Sequence, residues 1–160
     1  MTTTREAAGG TERKGGLDLD LRHEAPEAYR ALAALTRAST LDHLLAELMK
    51  VRASQINGCA YCVDLHVGLA LKAGEHQRRL HALAVWHESP FFNERERAAL
   101  TLTEALTRMD HGPLPEAAAS AVGEHFDRAE RGQLVVVIAG INAWNRVMVA
   151  TGDQPPSRDN

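Results

Sequence analysis

The sequence predicts an all-α protein, a single helical domain of about seven helices. Three observations carry that prediction. The apolar residues include 26 Ala and 19 Leu against 10 Val and 3 Ile. Ala and Leu favour helices, whereas β-branched residues favour strands. Aromatic residues make up only 4%, which suits helices packed closely around small side chains. Apolar positions also recur at helical spacing, segment after segment, with breakers between them.

The elements follow in order. MTTTREAAGGTERKGG, at 1–16, has no apolar core and reads as a flexible tail, not a signal peptide. The first helix starts at Pro26, a residue suited to an early helical position, and runs to about Ala38. The second carries Leu41, Leu44, Leu45, Leu48 and Val51 and continues toward Ile56. Asn57-Gly58 breaks it. The third starts near Cys59 and stops at Gly74, and the fourth runs from about Glu75 to Trp86. Asn93 and Glu96 form a capping box that opens the fifth, and Asp127 and Glu130 open the seventh in the same way. Between them, His111-Gly112-Pro113-Leu114-Pro115 ends the fifth and opens the sixth. Leu134 to Ile138 could be a buried strand by composition, but no second strand is available to pair with it. It is therefore assigned as helix. Its nearly all-round apolar surface, through Ile141, implies deep burial or a subunit interface. TGDQPPSRDN, at 151–160, reads as a second tail, which leaves 17–150 as the domain.

Composition excludes several function classes. A chain of 160 residues buries roughly 70% of its unfolded surface, with no room for a second catalytic domain or a cofactor domain. The net charge is −3 and no basic block occurs, so electrostatic binding to nucleic acid or an anionic membrane is not expected. No run reaches the roughly 18–20 apolar residues of a membrane span. Two cysteines are too few to staple a secreted fold. The expected setting is cytoplasmic, where a thiol pair is usually catalytic or metal-binding.

Those cysteines are Cys59 and Cys62, within Val51-Arg-Ala-Ser-Gln-Ile-Asn-Gly-Cys59-Ala-Tyr-Cys62-Val-Asp-Leu-His66. A helix starting at Gly58 or Cys59 puts Cys59 in its first turn, where free amides and the helix dipole stabilise a thiolate. Cys62 and His66 then share its face. Sulfurs at i and i+3 can form a disulfide with little backbone movement, and the chain has no other thiol. His66 can take a proton from Cys62. Glu47, on the preceding helix, can orient His66 or raise its basicity.

Competing readings weigh less. Structural zinc needs four ligands, and only His76 and His81 could join the pair. A c-type haem needs histidine directly after the second cysteine, and position 63 is Val. The βαβ pattern of a thioredoxin is missing. Trp86 and His87 read as packing and surface residues, although Trp86 could line a pocket. Asn142, Asn145 and Arg146 read as non-catalytic, with Asn142 and Arg146 able to bond across a subunit interface. Glu94-Arg95-Glu96-Arg97 reads as a solvated first turn.

Glu47, eleven residues, Cys59, two residues, Cys62, three residues, His66 resembles the active-site motif of the alkylhydroperoxidase D (AhpD) family, in the carboxymuconolactone decarboxylase-like superfamily. The likeness is strongest from Met49 to Leu71. It extends through Phe91-Phe92-Asn93-Glu94-Arg95-Glu96-Arg97-Ala98-Ala99-Leu100 and Ile141-Asn142-Ala143-Trp144-Asn145-Arg146, over most of residues 20 to 150. It implies a helical fold, assembly into dimers, trimers or hexamers, and thiol-dependent peroxide reduction with Glu47, Cys59, Cys62 and His66 as the catalytic set. No cofactor or metal is implied; electrons would come from an external dithiol, such as a lipoylated or thioredoxin-like protein. The family histidine before the second cysteine is Tyr61 here, so its part in a proton relay is absent or altered. The decarboxylase branch lacks the cysteine pair, which argues against lactone decarboxylation.

Peroxidase chemistry is thus the leading expectation. Its alternatives are a thiol–disulfide oxidoreductase or redox sensor, and a non-enzymatic oligomeric zinc-binding or scaffold protein. The resemblance favours Cys62 as the thiol that meets peroxide, whereas the helix dipole favours Cys59. Cys62 is the choice taken forward.

Overall fold

In the computed structural model, which describes residues 15–109 and 112–156, the chain forms eight α-helices and no strand among the described residues. They are α1 (Leu21–Glu24), α2 (Pro26–Arg37), α3 (His43–Asn57), α4 (Ala60–Lys72), α5 (Gln77–Ala82), α6 (Glu94–Thr107), α7 (Glu116–His125) and α8 (Arg128–Thr151). A 3-10 turn, Leu83–Val85, follows α5. The seven expected helices are present. The addition is α1, a single turn whose Asp20 side chain accepts from the Arg22 amide. Most of the first expected tail, and 157–160 of the second, lie outside the described residues, but the second does not begin free: Thr151 is buried in the last turn of α8 and Gly152 caps it. At their inner edges the chain entering α1 crosses the end of α8, with the Leu17 amide donating to the Ala150 carbonyl at 2.8 Å.

α3 is the central element. Leu45 to Met49 and Val51 to Ser54 are all buried, so this helix is enclosed on every side. It packs against α4, α6 and α8. On one flank Leu45, Met49, Ala99, Leu102, Val137 and Ile138 form a core with Phe126. On another, Leu48, Val51, Leu80, Leu83, Trp86 and Leu100 form a second. A third joins Ala53, Cys59, Cys62, Ile141 and Met148, so the thiols are core residues.

The Leu134 to Ile138 segment is helical, within α8. It is not buried all round. Leu134, Val137, Ile138 and Ile141 face the core, while Val135 is 49% exposed. α8 as a whole is long and apolar enough to cross a membrane by length and composition, although polar residues interrupt its apolar run. In this fold it packs against α2, α3, α4 and α6.

Charged residues tie the layers together. Arg95 and Arg97 are not simply solvated. Arg97 Nε donates to the Phe92 carbonyl at 3.0 Å. Arg95 Nη2 pairs with Glu130 at 2.6 Å, linking the starts of α6 and α8. Glu104 on α6 accepts from Arg52 Nε (2.7 Å), Trp86 Nε1 (2.8 Å) and Arg108 Nη1 (2.6 Å). Trp86 is thus a packing residue with its indole N–H satisfied.

Partial burial would raise the Glu104 carboxyl, but its three donors outweigh that and hold it at about 2. Its folded value is depressed, so its stabilisation is present above the ordinary carboxylate range and lost as pH falls toward 2. Water screens part of the site, leaving about 1–2 kcal/mol of pH-linked stability. Glu104→Gln should therefore be less stable than the wild type at pH 7. The gap should narrow between pH 4.5 and 2, as read by urea unfolding across that window.

Candidate active site

The site is built at the junction of α3 and α4. Gly58 ends α3 with φ 68° and ψ 27°, the left-handed conformation that glycine adopts at least cost. The Cys59 amide then donates back to the Ser54 carbonyl at 3.1 Å. Cys59 is the N-cap of α4, one position before the first turn, with extended φ −87° and ψ 95°. Its sulfur accepts from the Cys62 amide at 3.3 Å. From this cap position the sulfur still meets an orphan amide at the positive end of the helix.

Cys59 Sγ and Cys62 Sγ lie 2.6 Å apart as free thiols. Both residues are 2% exposed. The hydrogen bond from Cys62 is the largest influence on Cys59; with the Cys62 amide and Asn145 it outweighs burial and brings that thiol down to about 7. The same sulfur–sulfur contact, with burial, holds the Cys62 thiol well above its ordinary range. The pair gives up one proton readily and keeps the second between the sulfurs.

Glu47 sits on α3 with 1% exposure. Burial would raise its carboxyl, but His66 and Lys50 together hold it below the ordinary value. His66 Nδ1 is 2.7 Å from Glu47 Oε2, and Lys50 Nζ is 2.7 Å from Oε1. An ionised Glu47 can only accept, which assigns the proton to Nδ1 and leaves Nε2 as the basic nitrogen. A cavity of about 290 Å³ opens beside this group, lined in part by Cys62, His66, Tyr61 and Trp144. Cys59 does not line it. Burial raises the Tyr61 phenol above its ordinary value, so Tyr61 is no neutral-pH base in place of a histidine. Its neighbour across the cavity, Tyr29, meets Trp144 edge-on at 5.0 Å.

Asn145, read from the sequence as non-catalytic, is buried beside the site. It is 1% exposed, donates to Ser54 Oγ at 2.9 Å and accepts from Asn57 Nδ2 at 2.8 Å. It also lies beside the cysteine pair, where its side chain favours the thiolate. A signal was available: Ile138, Ile141, Asn145 and Met148 share one helical face, and a lone amide on an apolar stripe must be satisfied inside. Asn142 and Arg146 bond to each other within α8, Arg146 Nη1 donating to the Asn142 carbonyl at 2.8 Å. His76 and His81 form no metal cluster: among the described residues no three His, Cys, Asp or Glu come together as a metal site.

Removing the Asn145 amide should raise the thiol titration. In Asn145→Ala the Cys59 midpoint should move up from about 7, read by thiolate ultraviolet absorbance, and alkylation at pH 7 should slow. Circular dichroism checks that the helices remain.

Residues 23–105 match the carboxymuconolactone decarboxylase family. The chain is 36% identical over 137 residues to the uncharacterized protein YdfG of Bacillus subtilis (strain 168), covering 84% of this chain and 93% of that one. A solved structure of a protein of unknown function from Agrobacterium tumefaciens, proposed as an antioxidant defence protein AhpD, superposes with TM-score 0.84 at 36% identity. It covers 88% of this chain and 99% of that one. The debrominase Bmp8 shares the fold at TM-score 0.74 and 21% identity, over 82% of this chain and 73% of its own. One helical scaffold thus hosts different reactions, and the site must decide between them. The chain belongs to the carboxymuconolactone decarboxylase family, as an AhpD-like member.

Proposed function

We propose that the chain is a thiol-dependent peroxidase that reduces hydroperoxides through Cys59 and Cys62. One observation carries the reading. Two free sulfurs lie 2.6 Å apart at the start of α4, one of them its cap, and Cys62 shares a cavity with a histidine held by a buried carboxylate.

Cys62 is the attacking thiol, because it lines the cavity and Cys59 does not. His66 Nε2 takes one proton from the pair and the second settles on Cys59, which leaves Cys62 as the thiolate, while Glu47 holds the ring and stabilises the imidazolium. The thiolate attacks the distal oxygen of ROOH. An S–O bond forms, the O–O bond breaks, and RO⁻ leaves with the electron pair. It recovers the proton from His66 as ROH, and Cys62 becomes a sulfenic acid. Cys59, the more acidic thiol, then attacks the Cys62 sulfur. The disulfide forms, and water leaves with the sulfenic oxygen. An external dithiol restores both thiols by exchange and is itself oxidised. A lipoylated or thioredoxin-like donor fits that role, and a reducing, cytoplasmic setting suits a pair that must return to free thiols. Exposed Val135 and Val149 on one side of α8 suit a homo-oligomer.

A Cys59 thiol held at about 7 also suits a thiol–disulfide oxidoreductase. Peroxide consumption with a dithiol donor separates the two. The wild type should turn over, and Cys59→Ser and Cys62→Ser should not. Sulfenic acid should be trapped on Cys62 in the Cys59→Ser variant; sulfenate confined to Cys59 would reverse the roles. Disulfide exchange without peroxide turnover would select the oxidoreductase. Zinc at about one per chain in freshly reduced protein would sink both readings. His66→Asn should lower turnover about 100- to 10,000-fold, the usual worth of a general base.

A further inference from the structure

The cavity over Cys62 is uneven in charge. Arg37 and Lys50 both line it, and no aspartate or glutamate does. Lys50 is already neutralised by Glu47 at 2.7 Å. Arg37 is not: it is exposed at the end of α2, and no carboxylate among the described residues pairs with it. Tyr29, Ala33 and Arg37 recur every fourth residue on one face of α2, all lining the cavity. The cavity therefore runs about 12 Å along that helix, from the aromatic Tyr29–Trp144 end to the guanidinium. Between these ends the wall is largely apolar, with Leu65 and Met148 contributing.

We propose that this site takes a carboxylate-bearing organic hydroperoxide of medium size. The carboxylate docks on Arg37, the hydrocarbon body lies on the apolar wall, and the hydroperoxy group meets Cys62. The inference rests on the peroxidase reading and names its substrate class. An arginine fork binds a carboxylate through two parallel hydrogen bonds. A volume of about 290 Å³ is near the small end of ligand pockets and equals roughly ten waters. That leaves hydrogen peroxide loosely held and gives a long lipid chain no room in full. The chemistry is unchanged: the sulfur gains the distal oxygen, the O–O bond breaks, and the carboxylate leaves intact on the alcohol product.

The experiment compares a hydroperoxy-octanoic acid with its methyl ester, which removes the charge and adds one methyl group. With wild type the acid should have the higher kcat/KM, by about tenfold, the worth of one charge-assisted hydrogen-bond pair near solvent. The preference should fall with added salt. It should shrink in Arg37→Gln and vanish or invert in Arg37→Glu. Equal turnover of acid and ester by wild type, or an unaltered ratio in both variants, would overturn the inference while leaving the peroxidase reading intact. A second measurement needs no turnover. In a Cys59→Ser, Cys62→Ser double variant, octanoate should change Trp144 fluorescence at lower concentration than methyl octanoate, and Arg37→Glu should abolish the difference. That result with no peroxidase activity in the wild type would refute the reaction and keep the anion site. No discrimination in either assay would refute the anion site.

Discussion

Gly58 lets one helix end and the next begin within two residues, and the rest of the site depends on that turn. Its left-handed backbone brings α4 against α3. Three consequences follow from one geometry. Cys59 becomes a helix cap, with the Cys62 amide aimed at its sulfur. His66, on α4, meets Glu47, on α3. Asn57, just before the turn, reaches the Asn142 and Asn145 side chains of α8. A side chain at position 58 would strain all three, because only glycine holds this conformation cheaply.

The site is expensive to bury and is arranged accordingly. An isolated buried carboxylate or amide costs free energy unless its hydrogen bonds are made. Glu47 is engaged at both oxygens, by Lys50 and His66. Asn145 meets Ser54, Asn57 and the thiols. Each contact fixes a rotamer, so sulfurs and imidazole are held before any substrate arrives. Such preorganisation lowers the cost of ordering groups during reaction. The two thiols differ in their surroundings. One has the amide and the lower titration, while the other has the cavity.

Much of this was legible in the sequence because it is local. Both capping boxes form as read, Asn93 with Glu96 and Asp127 with Glu130, since a cap joins residues three apart. The cysteine pair and His66 lie within about two turns at the start of one helix, so spacing alone put them on one face. Glu47 required only that α3 and α4 pack together, which the Asn57-Gly58 breaker suggested. The Leu134–Ile138 segment was correctly resolved as helix by the lack of a partner strand.

What the sequence by itself determined, then, is the helical fold, the candidate site residues and their order on the chain. The tertiary structure decided which helix faces meet. Asn145 meets Asn57, 88 residues away along the chain, Arg95 links α6 to α8, and Arg37 shares a cavity with Cys62. It also decided that α8 keeps one side exposed, although composition made it look apolar nearly all round. Periodicity reports the face a residue occupies on its own helix. The neighbour of that face is set by the packing of whole helices around α3, a property of all their side chains at once.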